Sequence, residues 1–325
     1  MLYIVDGTGP QNDSQYRAAM EPGHCRYLHT RFYGYAKYFR GPAVTGCTDL
    51  GIKTQKAIGL FSRAMPVAGL IVEDVFGISD STTNQKQKVL NEIKNAPATS
   101  KIYLCGYSRG GATVVSIAHE LNRQGRAVEA MFLFDPVDSD STLTDTDYIP
   151  PNVLRPFMAY RDMTHVRALD AQARKAVEQA KKSGSSALID VLTADVIPAL
   201  PSVLPIKPVA MTRAAGSVVD FGKSTVAALS SQWRAFRWSN LVARDLMFQL
   251  CVKGMQNPLS PVIPWKPHPF SGTHGAMGGC VWPQDDYPSG TNFHAIDQQC
   301  EKKTREWLDA CIVQTPLVVD SQAGA

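Results

Sequence analysis

Residues 101–135 read KIYLCGYSRGGATVVSIAHELNRQGRAVEAMFLFD, and this stretch decides the fold. The run 101–108 is apolar and rich in β-forming residues, which predicts a buried strand. Residues 110–125 carry apolar side chains at helical spacing and stop at Gly125. A second apolar strand, 128–135, is halted by the turn residues DPVDSD. Strand, glycine-rich turn, helix and strand make a βαβ unit, which implies a parallel sheet with right-handed crossovers.

The turn inside that unit carries the chemistry. GYSRG at 106–110 matches G-x-S-x-G. A serine forced into strained backbone at a strand-to-helix turn needs small residues two positions away on either side, and Gly106 and Gly110 supply them. Gly111 and Ala112 let the helix approach the sheet. The Arg109 N–H then stands at the positive end of the helix, where an oxyanion would form. A phosphate-binding loop fits less well, because neither GxxxxGK[ST] nor GxGxxG is present.

A serine hydroxyl needs a base, and the base needs an orienting acid; on a nucleophile-elbow sheet they follow in the order Ser, Asp/Glu, His. Asp135 ends the strand after the helix, and a carboxylate there lies at the ligand crevice of a parallel sheet. Asp162, closing FMAYRD at the next expected strand (152–162), is the alternative acid, with pairing to Arg161 or Arg155 as its ordinary role. Asp135 is preferred; Asp138 and Asp170 trail. Of seven histidines, His24 and His29 precede the serine, His119 lies within the helix, His165 crowds the Asp162 strand, and His268 is flanked by prolines. His274, in the glycine-rich FSGTHGAMGG, is the preferred base, and His294 in TNFHAID is its main competitor.

Working outward, LYIV at 2–5 predicts a first strand, 11–40 loop plus helix, 54–64 and 82–96 helices, and 298–313 a closing helix, while 69–79 is ambiguous and 257–282 reads mostly as loop. From about 166 to 250 the character changes to a polar helix, a proline-rich apolar stretch and SSQWRAFRWSN. This segment reads as an insertion into one domain spanning 1–325, not as a second domain.

Composition bounds the rest. At 325 residues, 44% hydrophobic and 19% charged, the chain supports a large core. A net charge of +4, spread without a Lys/Arg block, gives no nucleic-acid stripe. Seven cysteines without a CxxC pair argue against structural zinc and suit a reducing compartment. MLYIVDGTGP lacks the basic and apolar regions of a signal peptide, and 187–211 carries charges and prolines that disfavour a membrane span. A cytoplasmic location, or export by a signal-independent route, is expected.

Five stretches taken in order, VDGTGPQND (5–13), GYSRGGA (106–112), FLFDPVD (132–138), IPPNVLRPFMAYRD (149–162) and FSGTHGAMGG (270–279), resemble the bacterial α/β-hydrolases that carry D-G-T, G-[FY]-S-R-G-[AG] and G-x-H-x-x-[IVM]-G-G motifs. That family includes phospholipase effectors of type VI secretion systems. The match spans about 1–162 and 257–313. It implies an α/β-hydrolase fold with helices on both faces of a mostly parallel sheet, 166–250 as a lid-like insertion, Ser108 as nucleophile, His274 as base and Asp135 as acid. It also implies that the turn Asp6-Gly7-Thr8 sits beside the serine, with Gly7 or Thr8 giving a second oxyanion-hole N–H and Asp6 bracing the turn. The chain starts almost at the first motif strand, so any outer strands are expected from elsewhere or not at all.

The expected activity is ester hydrolysis through an acyl-enzyme, on a lipid or phospholipid, without metal or organic cofactor and with no nucleic-acid partner. Aromatics and arginines in QWRAFRW (232–238) suit peripheral contact with an anionic membrane surface. A small-ester carboxylesterase, an acyltransferase and a non-catalytic binding protein on the same scaffold are the rivals. An immunity or secretion partner is what the effector resemblance would add.

Overall fold

The computed structural model describes residues 1–10, 13–42, 82–137, 143, 145–162, 251–256, 265–287 and 291–315. The helix expected over 54–64, the run 69–79 and the insertion 166–250 lie outside the described residues.

In chain order the described elements are β1 (Leu2–Val5), α1 (Asp13–Met20), α2 (His24–Arg31), β2 (Ala36–Phe39), α3 (Thr82–Asn95), β3 (Tyr103–Tyr107), α4 (Arg109–Arg123), β4 (Ala130–Phe134), β5 (Tyr148–Ile149), β6 (Pro156–Arg161), β7 (Gly254–Met255), β8 (His268–Phe270), α5 (His274–Met277), a 3₁₀ turn (Gln284–Asp286) and α6 (Phe293–Val313). Six strands form one sheet in the order β2-β1-β3-β4-β6-β8, and each pairing is parallel. β5 and β7 make a separate two-stranded parallel pair.

Strand alternation divides the core in two. Tyr3, Val5, Leu104, Met131, Leu133 and Met158 face one way, onto Val89 and Ile93 of α3 and the apolar side of α4. Leu2, Ile4, Cys105, Phe132, Phe134 and Phe157 face the other way, onto Leu28 of α2 and Cys300, Leu308 and Cys311 of α6. The molecule is therefore α/β, a parallel sheet between two helical layers.

The chain moves one way from β1 to β2 and the other way from β3 to β8. The topological switch falls between β1 and β3, where open parallel sheets place their ligands at the carboxyl ends of the strands. Val5 and Gly106 pair there, so the DGT turn and the serine turn emerge side by side.

The outer strand β2 comes from the segment read as loop plus helix. Its four residues are all half-buried, and so short a piece at a sheet edge carries no alternation that stands out from a loop. Phe132 is fully buried and stacks on Phe157 at 5.3 Å between ring centroids. Phe132→Ala is expected to cost about 3–5 kcal/mol, measured as a lower urea midpoint with an unchanged slope.

Candidate active site

Ser108 stands between β3 and α4 with φ 57° and ψ −129°, a conformation that a side chain makes costly. Its surroundings over-determine it. The Ser108 N–H donates to the Phe134 carbonyl at 3.0 Å, and the Ser108 carbonyl accepts from Gly111 at 2.9 Å and Val137 at 3.1 Å. The two flanking glycines are steric requirements. A Cβ on Gly106 would lie 2.5 Å from the Gly110 carbonyl oxygen, and one on Gly110 would fall on the Val5 carbonyl. The helix thus passes directly over β1 and β3, and its first residue, Arg109, turns its N–H out of the first turn as helix N-termini do.

His274 begins α5 and is buried with Ser108 and Asp135. Its Nε2 lies 2.8 Å from Ser108 Oγ and its Nδ1 2.6 Å from Asp135 Oδ2. An ionised carboxylate only accepts, so Nδ1 carries the proton, donates to Asp135 and leaves Nε2 as the acceptor for the serine O–H. Burial alone would raise Asp135. The Arg161 guanidinium beside it and the His274 bond outweigh that effect and hold the carboxyl below its ordinary value. Asp135 Oδ1 also accepts from the Arg161 backbone N–H at 3.3 Å. His274 is held below its ordinary value first by burial, with Asp135 opposing and Arg161 adding. The imidazole is therefore neutral at neutral pH, as a base must be.

The loop that carries His274 is fixed from three sides. Thr273 caps α5, and its N–H and hydroxyl donate to Asp297 Oδ1 and Oδ2 at 2.8 and 2.6 Å. Tyr287 donates to the same Oδ2 at 2.7 Å. The Tyr107 hydroxyl donates to the His274 carbonyl at 2.9 Å, and its ring stacks on the imidazole at 5.0 Å.

Beside the serine, Asp6 Oδ1 accepts the Gly7 N–H at 2.7 Å, while Oδ2 accepts the Tyr38 hydroxyl. The Gly7 N–H, one of the two expected oxyanion donors, is thus directed at Asp6. Burial pushes Asp6 up to about 6, against the hydrogen bonds from Tyr38 and Gly7.

The other candidates fall elsewhere. Asp162 follows β6 with its N–H on the Phe270 carbonyl, and the carboxylate that meets His274 Nδ1 is that of Asp135. Arg161 pairs with Asp135, and Arg155 pairs with Glu129. His294 packs edge-on to Tyr287, His119 reaches the Tyr148 carbonyl at 2.7 Å, and His268 lies against Phe270 and Trp307. His24 is buried against Phe134 and pushed down to about 3 by burial. Asp138, His165 and Asp170 lie outside the described residues. Sequence reading missed Asp297, yet a signal existed. Phe293, Asp297, Cys300, Thr304, Leu308 and Cys311 are the buried stripe of α6, and a carboxylate on such a stripe must have partners.

Among the described residues, no group of three or more His, Cys, Asp or Glu is placed to hold a metal ion, and no helix is long and apolar enough to cross a membrane. No protein-family model matches the chain, and no curated protein matches it.

Asp6 gives a pH test. A carboxyl whose folded value lies above its unfolded value stabilises the fold most below about 4 and loses that contribution as pH rises through about 6. Asp6→Asn keeps an acceptor and removes the titration. Relative to the variant, the native protein is expected to lose on the order of 3 kcal/mol between pH 4 and 7, read from urea midpoints of both proteins at each pH.

Proposed function

We propose that this chain is a serine hydrolase of the α/β-hydrolase fold that cleaves carboxylic esters through an acyl-enzyme, with 166–250 as a lid-like insertion. One observation carries the reading: His274 bridges Ser108 Oγ and Asp135 Oδ2 at 2.8 and 2.6 Å, with the serine on a strained strand-to-helix turn.

In the proposed reaction Ser108 Oγ attacks the ester carbonyl carbon while His274 Nε2 takes its proton. Asp135 holds the tautomer and stabilises the imidazolium. The N–H groups of Arg109 and Thr8 receive the oxyanion. His274 then returns the proton to the leaving alcohol, and water repeats the sequence to release the acid. Arg161 keeps Asp135 ionised in its buried position, which the burial of that carboxylate requires. The resemblance to phospholipase effectors, with the aromatic and basic composition of 232–238, extends the proposal to lipid esters at an anionic surface.

A fluorophosphonate probe tests this. Native protein is expected to label, whereas Ser108→Ala and His274→Ala, folded by circular dichroism, are not. Folded native protein that stays unlabelled, with and without added lipid or detergent, would sink the proposal in favour of a binding scaffold. Asp135→Asn is expected to keep the fold and to lower kcat by about 10⁴-fold, measured on para-nitrophenyl esters of short and long acyl chains. Because the base works only when neutral, kcat/KM should rise with pH through an acid limb whose midpoint lies below 6.5, the ordinary histidine value. A midpoint above that value would contradict the burial argument.

A further inference from the structure

The DGT turn is clamped on both sides of one residue. The Gly7 N–H is taken by Asp6, and the Gly7 carbonyl accepts the hydroxyl of Tyr16, from α1, at 2.9 Å. The same hydroxyl accepts the Gly41 N–H at 2.5 Å, so its proton is committed to Gly7. Tyr16 is closely enclosed, with the Tyr38 hydroxyl also within hydrogen-bond reach of its own. It is buried, its ring lies against Gly9, and the Arg40 guanidinium sits 4.4 Å from the ring centroid on its face.

The Gly7 carbonyl and the Thr8 N–H belong to one planar trans peptide unit, in which the two bonds point in opposite directions. Whatever fixes the carbonyl also fixes the N–H. A Cβ built on Gly7 would stand 3.0 Å from Ser108 Cβ, so this peptide lies against the serine. An oxyanion donor is useful only where it is already aimed when charge develops.

We propose that Tyr16 is a positioning residue of the hydrolase site, which holds the Gly7 carbonyl and so aims the Thr8 N–H at the oxyanion. The inference rests on the hydrolase reading above. Tyr16 never touches substrate; it sets the rotation of one peptide plane through a single hydrogen bond from α1. The position of α1 against the sheet thereby becomes a determinant of rate and not of substrate affinity.

Tyr16→Phe removes the hydroxyl and keeps the ring. On a para-nitrophenyl ester, kcat is expected to fall about 10- to 100-fold with KM within twofold. The affinity for a trifluoromethyl ketone, which forms a tetrahedral oxyanion on Ser108, should fall by the same factor. A merely structural role would lower the urea midpoint without that parallel. Replacing the Gly7–Thr8 amide by an ester removes the donor itself; it should reproduce the loss, and it decides the matter if Tyr16→Phe does not fold. Native protein that labels at Ser108, together with unchanged kcat and ketone affinity in either folded variant, overturns the Tyr16 inference alone. Native protein that neither labels nor hydrolyses overturns the hydrolase reading and this inference with it.

Discussion

Four backbone hydrogen bonds place most of the site. The strands β1, β3, β4 and β6 are each followed by one residue beyond the ladder, and the neighbouring strand catches it. Asp6 donates to Phe39 at 3.1 Å, Ser108 to Phe134 at 3.0 Å, Asp135 to Ala159 at 2.7 Å and Asp162 to Phe270 at 2.8 Å. Because the strands run the same way, all four overhanging residues emerge along one edge. The side chains there are set by where the ladder stops, and the backbone has little freedom left to misplace them. The unusual φ angles of Ser108 and Asp135, 57° and 41°, occur at two of these overhangs, where the ladder holds a conformation that an isolated residue would leave.

The charges on that edge are kept in place by different means. Asp135 is ionised because it has a cation, Arg161, and a donor, His274. Asp6 has donors from Tyr38 and Gly7, and burial raises it toward neutrality. Asp297 lies one step behind His274 and is likewise raised by burial, against the hydrogen bonds from Thr273 and Tyr287. Three buried carboxylates thus divide the work: one faces the imidazole, one shapes the turn beside the serine, and one fixes the loop that brings the imidazole in. Removing a partner from any of them would leave a buried polar group unsatisfied, which is the costly direction of change.

The βαβ unit was legible because its signals agree: apolar runs of strand length, a helical period and two glycines where a strand-to-helix turn needs them. β3, α4 and β4 fall within a residue or two of the expected ends. The serine, its preferred acid and its preferred base could be picked out because order along the chain and strand-end position restrict the choice. Their meeting could not be read, since it depends on the register of β3, β4 and β8. That the Gly7 N–H would be taken was equally hidden, because the side chain of Asp6 accepts it locally. Tyr16 and Tyr38 carry no pattern at all. They act through hydroxyls that reach across from α1 and β2, and only tertiary structure brings those hydroxyls to the turn. β2 itself escaped because a short edge strand lacks the alternation that distinguishes strand from loop.

The two-sided core has a consequence for how the site is held. Ser108 leads into α4, packed on one face of the sheet. The His274 loop is anchored by α6, packed on the other face. Asp135 belongs to the sheet between them. The hydrogen bonds from serine to imidazole to carboxylate therefore tie together all three layers of the molecule. Their lengths act as a gauge of how the layers sit on one another, and a substitution deep in either core is felt at Ser108 Oγ and His274 as a change in spacing.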